Sequence, residues 1–357
     1  VRSRRAARLL DAALVVAGGI VLSLLVALAG LPSPALFGGL IAGLVRALAW
    51  RAGAKMPEAA GTAGQAVIGV AMGALVDPDT LRAVGANWLP VLLTTVATLA
   101  LSLVAGAALR LHRGIGPVTG AFAMIAGGAS GIVVMARDLG ADERMVAVLQ
   151  YLRVLLIVLL MPVAATTVYG ATAGSGAAPG VGGPGWPAGL AFTIGCSVVG
   201  LVVGRLLRVP VAALLGPLVA AAVADLTGLS RGAEVPGLVE SAAFLVIGLQ
   251  VGVSFTRDSL RVIGRALPLA LAIMAALVLA CAGLGALLAG ITGASPLDGY
   301  LATTPGGLYA VLATARDAGA DTTFVLSVQV LRLFVMLFSA PVVARWLRRS
   351  SPGDAST

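Results

Sequence analysis

Two phrases in this chain put a guanidinium inside an otherwise apolar run: Gln150 and Arg153 in "LQYLRVLL", and Gln329 and Arg332 in "VQVLRLFV". Three positions separate glutamine from arginine each time, so both polar groups fall on one face of a helix. An arginine buried in an apolar environment is costly and normally faces the interior of a bundle or a water-filled cavity. Two chemistries fit it. A planar guanidinium recognises an anion, or it braces backbone carbonyls or an acid such as Asp138 or Asp317.

Upstream of each phrase lies a second unusual feature. "AFAMIAGGASGIVVMA" is broken at Gly127 and Gly128, and "YLATTPGGLYAVLATA" at Pro305, Gly306 and Gly307. Backbone groups freed by a helix break cannot stay unpaired in lipid, so they must face protein, water or a ligand. Paired interruptions at equivalent positions point to a solute site in a transporter. The predicted substrate-binding set is therefore Gly127, Gly128, Ser130, Gln150, Arg153, Thr303, Thr304, Pro305, Gly306, Gly307, Tyr309, Gln329 and Arg332. Close packing through small residues is the structural alternative for the glycines. The intervening "ARDLGAD" and "ARDAGAD" read mainly as a helix stop at Gly140 or Gly319 and a helix start at Asp142 or Asp321.

The elements that must position these residues are apolar helices. Of the 357 residues, 59% are hydrophobic and 11% charged, with mean hydropathy +1.04, which leaves too little polar surface for a soluble domain of this size. Runs such as 11–30, 88–109 and 266–290 are long enough to cross a bilayer. The chain is thus expected to be an all-α polytopic membrane protein. The basic N-terminus followed by an apolar run imitates a signal peptide. Because that run has a counterpart at 191–207, it is expected to be a retained first transmembrane helix.

The chain is written twice. Residues 120–165 align without gaps on 299–344, with 17 identities in 46 positions. The match extends upstream through "VIG" at 67–69 and 246–248, Gly73 with Gly252, and "DTLRAVG" with "DSLRVIG". The predicted organisation is repeat one at 1–169, a Gly/Pro linker at 170–187, repeat two at 188–349 and a disordered tail at 350–357. Each repeat holds six apolar segments, the fifth being the broken one.

Loop charge decides the orientation. If all twelve segments cross, Lys and Arg divide 13 inside to 9 outside; if the fifth segments are re-entrant, they divide 19 to 3. The second arrangement obeys the positive-inside rule. It predicts two inverted repeats, about ten transmembrane helices plus two Gly-broken re-entrant segments, and both termini on the cytoplasmic side of the inner membrane. The net charge of +9 then reflects topology and anionic lipid rather than nucleic acid. Two cysteines and one histidine supply no metal cluster or nucleophile site, so no metal, cofactor, catalytic residue or enzymatic activity is expected. No carboxylate occupies the middle of an apolar segment. Coupling to H+, coupling to Na+ held by backbone carbonyls, and uncoupled movement all stay open, with Glu240 the nearest acidic candidate. A homo-oligomer is compatible with the sequence.

The phrases "ATTPGGLYAVLATARDAGAD" and "VQVLRLFVMLFSAPVV" resemble the AbrB-duplication family of bacterial membrane proteins, over essentially the whole chain through its two halves. Members are named as AbrB-type regulators or ammonia monooxygenases. The resemblance implies inverted repeats with crossed broken helices, as in antiporter-like and anion transporters. The first repeat departs from the pattern at Ala126, which replaces the proline. The expected function is an inner-membrane secondary transporter or exporter of a small, anionic or amphiphilic solute bound at the repeat interface. The alternative is a membrane sensor that binds a solute and affects gene expression without moving it.

Overall fold

The computed structural model describes residues 2–49, 56–112, 114–126, 132, 136, 140–171, 185–209, 211–254 and 261–349. Every regular element among them is helical. In chain order the α-helices are α1 (Arg2–Leu28), α2 (Pro34–Ala49), α3 (Glu58–Gly73), α4 (Pro78–Ala86), α5 (Trp88–Ala108), α6 (Pro117–Met124) and α7 (Glu143–Thr167). The second repeat supplies α8 (Trp186–Leu206), α9 (Ala212–Leu226), α10 (Gly237–Val253), α11 (Leu267–Thr292), α12 (Pro296–Thr303), α13 (Leu308–Asp317) and α14 (Thr322–Arg349). The linker and tail expected at 170–187 and 350–357 fall almost wholly outside the described residues, as do Gly127, Gly128, Ser130, Arg137 and Asp138.

Six helical stretches are long and apolar enough to cross a membrane, and α3 joins them when counted with α4, from which an 86° bend separates it. Helices α2, α9 and α10 are apolar but shorter. Together these are ten apolar helices, and the chain is a polytopic α-helical membrane protein. At 1.5 Å per residue the 16 residues of α2 rise about 24 Å, less than the roughly 30 Å of a hydrocarbon core.

Two compact units divide the chain, and each takes elements from both repeats. The first comprises residues 1–81, 158–256 and 309–323; the second comprises 82–157, 257–308 and 324–357.

In the first unit, glycines let helices meet backbone to backbone. A Cβ on Gly39 would fall 2.3 Å from the Leu245 carbonyl oxygen, and one on Gly43 2.7 Å from that of Leu249. Reciprocally, a Cβ on Gly248 or Gly252 would fall 2.1 or 2.3 Å from the carbonyl of Leu36 or Leu40. Helices α3 and α9 repeat the pattern, with Gly69 and Gly73 against the carbonyls of Leu214 and Leu218 at 2.4 and 2.2 Å. Small residues at four-residue spacing give this approach its van der Waals and Cα–H contacts.

These contacts also give direction. Residue numbers rise together along α2 and α10, and along α3 and α9, so each pair is parallel. Parallel helices start on the same side of a bilayer, which requires an even number of crossings from the start of one to the start of the other. Between the starts of α2 and α10, helices α2, α3, α5, α7, α8 and α9 make six when the shorter α2 and α9 are counted as crossings. A crossing fifth segment would make seven and force the pair antiparallel. The packing therefore agrees with an odd number of crossings per repeat, and so with a second repeat inverted relative to the first.

The second unit shows the same duplication. A Cβ on Gly106 would meet the Gly120 carbonyl at 2.6 Å, and one on Gly285 the Gly299 carbonyl at 2.4 Å. These contacts join α5 to α6 and α11 to α12. A core around Phe122, Ile125, Val146 and Met336 fills this unit, with a second cluster at Val91, Leu288, Ala302, Phe324 and Val328.

A candidate anion site at two helix breaks

Helices α6 and α12 are each eight residues long and stop for a local reason. Residues Ile125 and Thr304, just past their ends, turn extended at ψ 124° and 123°. In the second repeat Pro305 has no N–H to continue a helix. Gly306 and Gly307 follow at φ 145° and 69°, backbone angles that glycine adopts without strain.

Ending a helix inside an apolar core orphans its last carbonyls. In this fold they are satisfied by the repeated glutamine and arginine. Gln150 Nε2 on α7 donates to the carbonyls of Phe122 at 2.6 Å and Ile125 at 2.8 Å. Arg153 donates from one terminal nitrogen to the Met124 carbonyl at 2.6 Å and from the other to Gln150 Oε1 at 2.6 Å. On α14, Gln329 Nε2 donates to the carbonyls of Leu301 at 2.7 Å and Thr304 at 3.3 Å. Arg332 donates to the carbonyls of Thr303, at 3.2 Å, and Thr304, and to Gln329 Oε1. Each guanidinium thus lies against the negative end of a half-helix, where its charge is favourable. Sequence spacing allowed either an anion site or a brace, and the carbonyl brace is present in both repeats.

The brace does not exhaust the arginines. All four side chains are at most 4% exposed, yet Nε of Arg153 and Nε of Arg332 have no hydrogen-bond partner. Among the described residues no carboxylate pairs with either one. The charge of Arg332 acts unfavourably on that of Arg153, so two positive charges share a buried region. The repeats meet there: a Cβ on Gly306 of repeat two would fall 3.3 Å from Nε of Arg153 of repeat one. Two buried guanidiniums with donors to spare are chemically suited to an anion.

The remaining expected residues sort by their contacts. The Thr303 hydroxyl donates to the Cys281 carbonyl at 2.8 Å and the Gly299 carbonyl at 2.9 Å, and that of Thr304 to the Tyr300 carbonyl at 2.7 Å. Those hydrogens are committed to backbone. Pro305 and Gly306 are buried, and Gly307 is half-buried. Tyr309 is half-buried in α13 and belongs to the first unit, whereas Gln150, Arg153, Gln329, Arg332, Thr303, Thr304, Pro305, Gly306 and Gly307 belong to the second.

One member of the site carried no sequence signal. Where repeat two has Pro305, repeat one has Ala126, whose N–H is left over by the break. It donates to the sulfur of Met336 at 3.2 Å. The residue equivalent to Met336 in repeat one is Ile157, whose methyl would lie 3.4 Å from a Cβ on Gly306. The thioether appears only in the repeat pairing that has an amide to satisfy. Among the described residues no group of three His, Cys, Asp or Glu side chains is placed to hold a metal ion.

Duplicated apolar helices, two helix breaks and two buried Gln–Arg braces define a polytopic α-helical membrane protein built from paired repeats. The comparisons make the class specific. Residues 35–348 match the model of a family described as "Transition state regulatory protein AbrB". The chain is 33% identical over 322 residues to "Putative regulator AbrB" of Escherichia coli strain K12, covering 90% of this chain and 92% of that protein. It is 24% identical over 297 residues to "Uncharacterized protein YhjN" of Bacillus subtilis strain 168, covering 80% and 77%. This protein belongs to the AbrB family.

Proposed function

We propose that this protein is a secondary transporter or exporter of the bacterial inner membrane that moves a small anionic solute. The solute is bound beside Arg153 and Arg332, where the two repeats meet within the second unit. The observation that carries this reading is the pair of buried Nε donors without partners, on two guanidiniums with which no carboxylate pairs among the described residues. Buried polar groups are normally hydrogen-bonded, and a buried cation normally has a counter-charge. An anion supplies both.

The inverted arrangement supports the same reading. A site at the breaks of two oppositely oriented repeats can be reached from either side as one part of the protein moves against another. The charge distribution supports cytoplasmic termini, because 19 of the loop Lys and Arg residues then lie on the inner side. The protein needs no catalytic group, metal or cofactor for this role, and its direct partners are the solute and the bilayer.

A second reading is a solute sensor, favoured by the name "Putative regulator AbrB" carried by the Escherichia coli relative. Thermal-shift screening of small carboxylates and phosphates against the purified protein identifies a stabilising solute under either reading. Uptake of that labelled solute into sealed proteoliposomes separates them. A transporter accumulates or exchanges it, and a sensor binds without flux.

A further inference from the structure

The fold builds almost everything twice: the glycine contacts of α2 with α10 recur in α3 with α9, and the Gln–Arg brace of α7 recurs in α14. Some buried charged groups depart from this pattern, and one of them is paired at the end of α13. Glu240, in the first turn of α10, is 8% exposed, and its equivalent in the first repeat is Gly61. Its carboxylate pairs with Arg316 near the C-terminal end of α13. A group that the other repeat does without is not required to build the architecture.

The next residue, Asp317, anchors the same helix end elsewhere. Its carboxylate accepts a hydrogen bond from the Ser33 N–H at 2.6 Å, at the entry to α2. Ser33 is 3% exposed, with φ 59°. The end of α13 is therefore tied to α10 through Arg316 and to α2 through Asp317, all within the first unit. Through Gly306 and Gly307 the same helix continues directly from the break of α12 that Gln329 and Arg332 brace. Within the cluster Asp317 acts unfavourably on Glu240, and one further acid, Glu234, does the same from outside it. Two carboxylates and one guanidinium carry a net charge of −1, and one proton makes them neutral.

We infer that Glu240, Arg316 and Asp317 form a proton-binding site that couples the protonation state of the outward-facing side to the docking of α13. The inference rests on reading the protein as a transporter with cytoplasmic termini, which places this cluster on the side opposite the basic loops. With a proton bound the cluster is neutral and α13 is held against α2 and α10. With the proton lost, the excess buried charge loosens that end and with it the segment leading from the solute site. Burial pushes the Asp317 carboxyl above its ordinary value, against the opposing effects of the Ser33 N–H, the Ser33 hydroxyl and Arg316. The sign follows from linkage: a carboxyl whose pKa is raised on docking contributes stability that is present at low pH and lost as pH rises through the raised value.

The test uses the full-length protein in lipid nanodiscs and needs no solute. Amide exchange of the Leu308–Asp317 segment is followed by mass spectrometry from about pH 3.5 to about pH 8 and corrected for intrinsic exchange; protection should be greatest at the acid end and be lost as pH rises. Asp317→Asn keeps the Glu240–Arg316 pair and a carbonyl for the Ser33 N–H, but makes the cluster neutral. Its α13 protection should be flat with pH and higher than wild type at the alkaline end. Glu240→Gln, which leaves Arg316 with Asp317, should also flatten the profile. A wild-type profile independent of pH, or a full pH response persisting in Asp317→Asn, overturns the proposal. Because no anion is added, that failure would leave the arginine site untouched, and loss of anion binding would leave this result standing.

Discussion

Ala126 and Met336 offer a test in which the two repeats predict each other. In repeat one the N–H of Ala126 donates to the Met336 sulfur at 3.2 Å; in repeat two the equivalent positions hold Pro305 and Ile157. Met336→Ile keeps an apolar side chain of similar size but leaves a buried amide unpaired, a loss of about 1–3 kcal/mol. Ala126→Pro alone removes the donor but places its ring Cδ, about 1.5 Å from the nitrogen, in the space leading to the sulfur 3.2 Å away. That overlap costs a further 1–3 kcal/mol by the usual measure of overpacking, roughly. The backbone itself accepts proline, since Ile125 already has the extended ψ of 124° that a residue before proline prefers. The double variant reproduces the pair found in repeat two, so it should recover most of both losses, a coupling of about 2 kcal/mol or more. Thermal unfolding of the four proteins in one detergent completes the cycle. Additive losses would refute the reasoning, because they would mean that neither the amide–sulfur bond nor the proline overlap governs this break.

Other outcomes follow from the same contacts. Gly248→Ala places a Cβ 2.1 Å from the Leu36 carbonyl oxygen and should destabilise the first unit by about 1–3 kcal/mol. Gly85→Ala, on exposed α4 with nothing within 4 Å, should be neutral or gain up to about 1 kcal/mol; thermal shifts of both read the contrast. Gln329→Leu strips donors from the Leu301 and Thr304 carbonyls and an acceptor from Arg332. Its cost should be at least about 2 kcal/mol, seen as faster exchange at residues 301–307, while Gln329→Glu should not restore the carbonyl bonds.

Much of this arrangement was legible in the residues themselves. Composition and run length predict helices that span a bilayer, and the repeat of "VIG…G" reveals the duplication, although not which backbones those glycines meet. The three-residue spacing of Gln150 with Arg153 places both on one face, and they do act together. The target of that face was not legible, because spacing reports direction and not what lies opposite. Thr303 and Thr304 looked like solute contacts but give their hydroxyl hydrogens to Cys281, Gly299 and Tyr300 carbonyls, the common fate of a threonine near a helix end. Met336 was invisible because a thioether in an apolar run reads as core. Glu240 was noticed only as the nearest acid; its partner lies 76 residues away, a distance that no local pattern spans. Gly127, Gly128 and Ser130 lie outside the described residues.

The central claim is that Arg153 and Arg332 bind an anion that the protein carries across the membrane. The most direct measurement is flux of a labelled, stabilising carboxylate or phosphate into sealed proteoliposomes, comparing wild type with the Arg153→Leu/Arg332→Leu protein. The double variant is first shown to be monodisperse and helical, and Gln150 and Gln329 still brace the breaks in it. The account predicts saturable flux in the wild type and its loss in the double variant. Flux that persists undiminished without the two guanidiniums would contradict it.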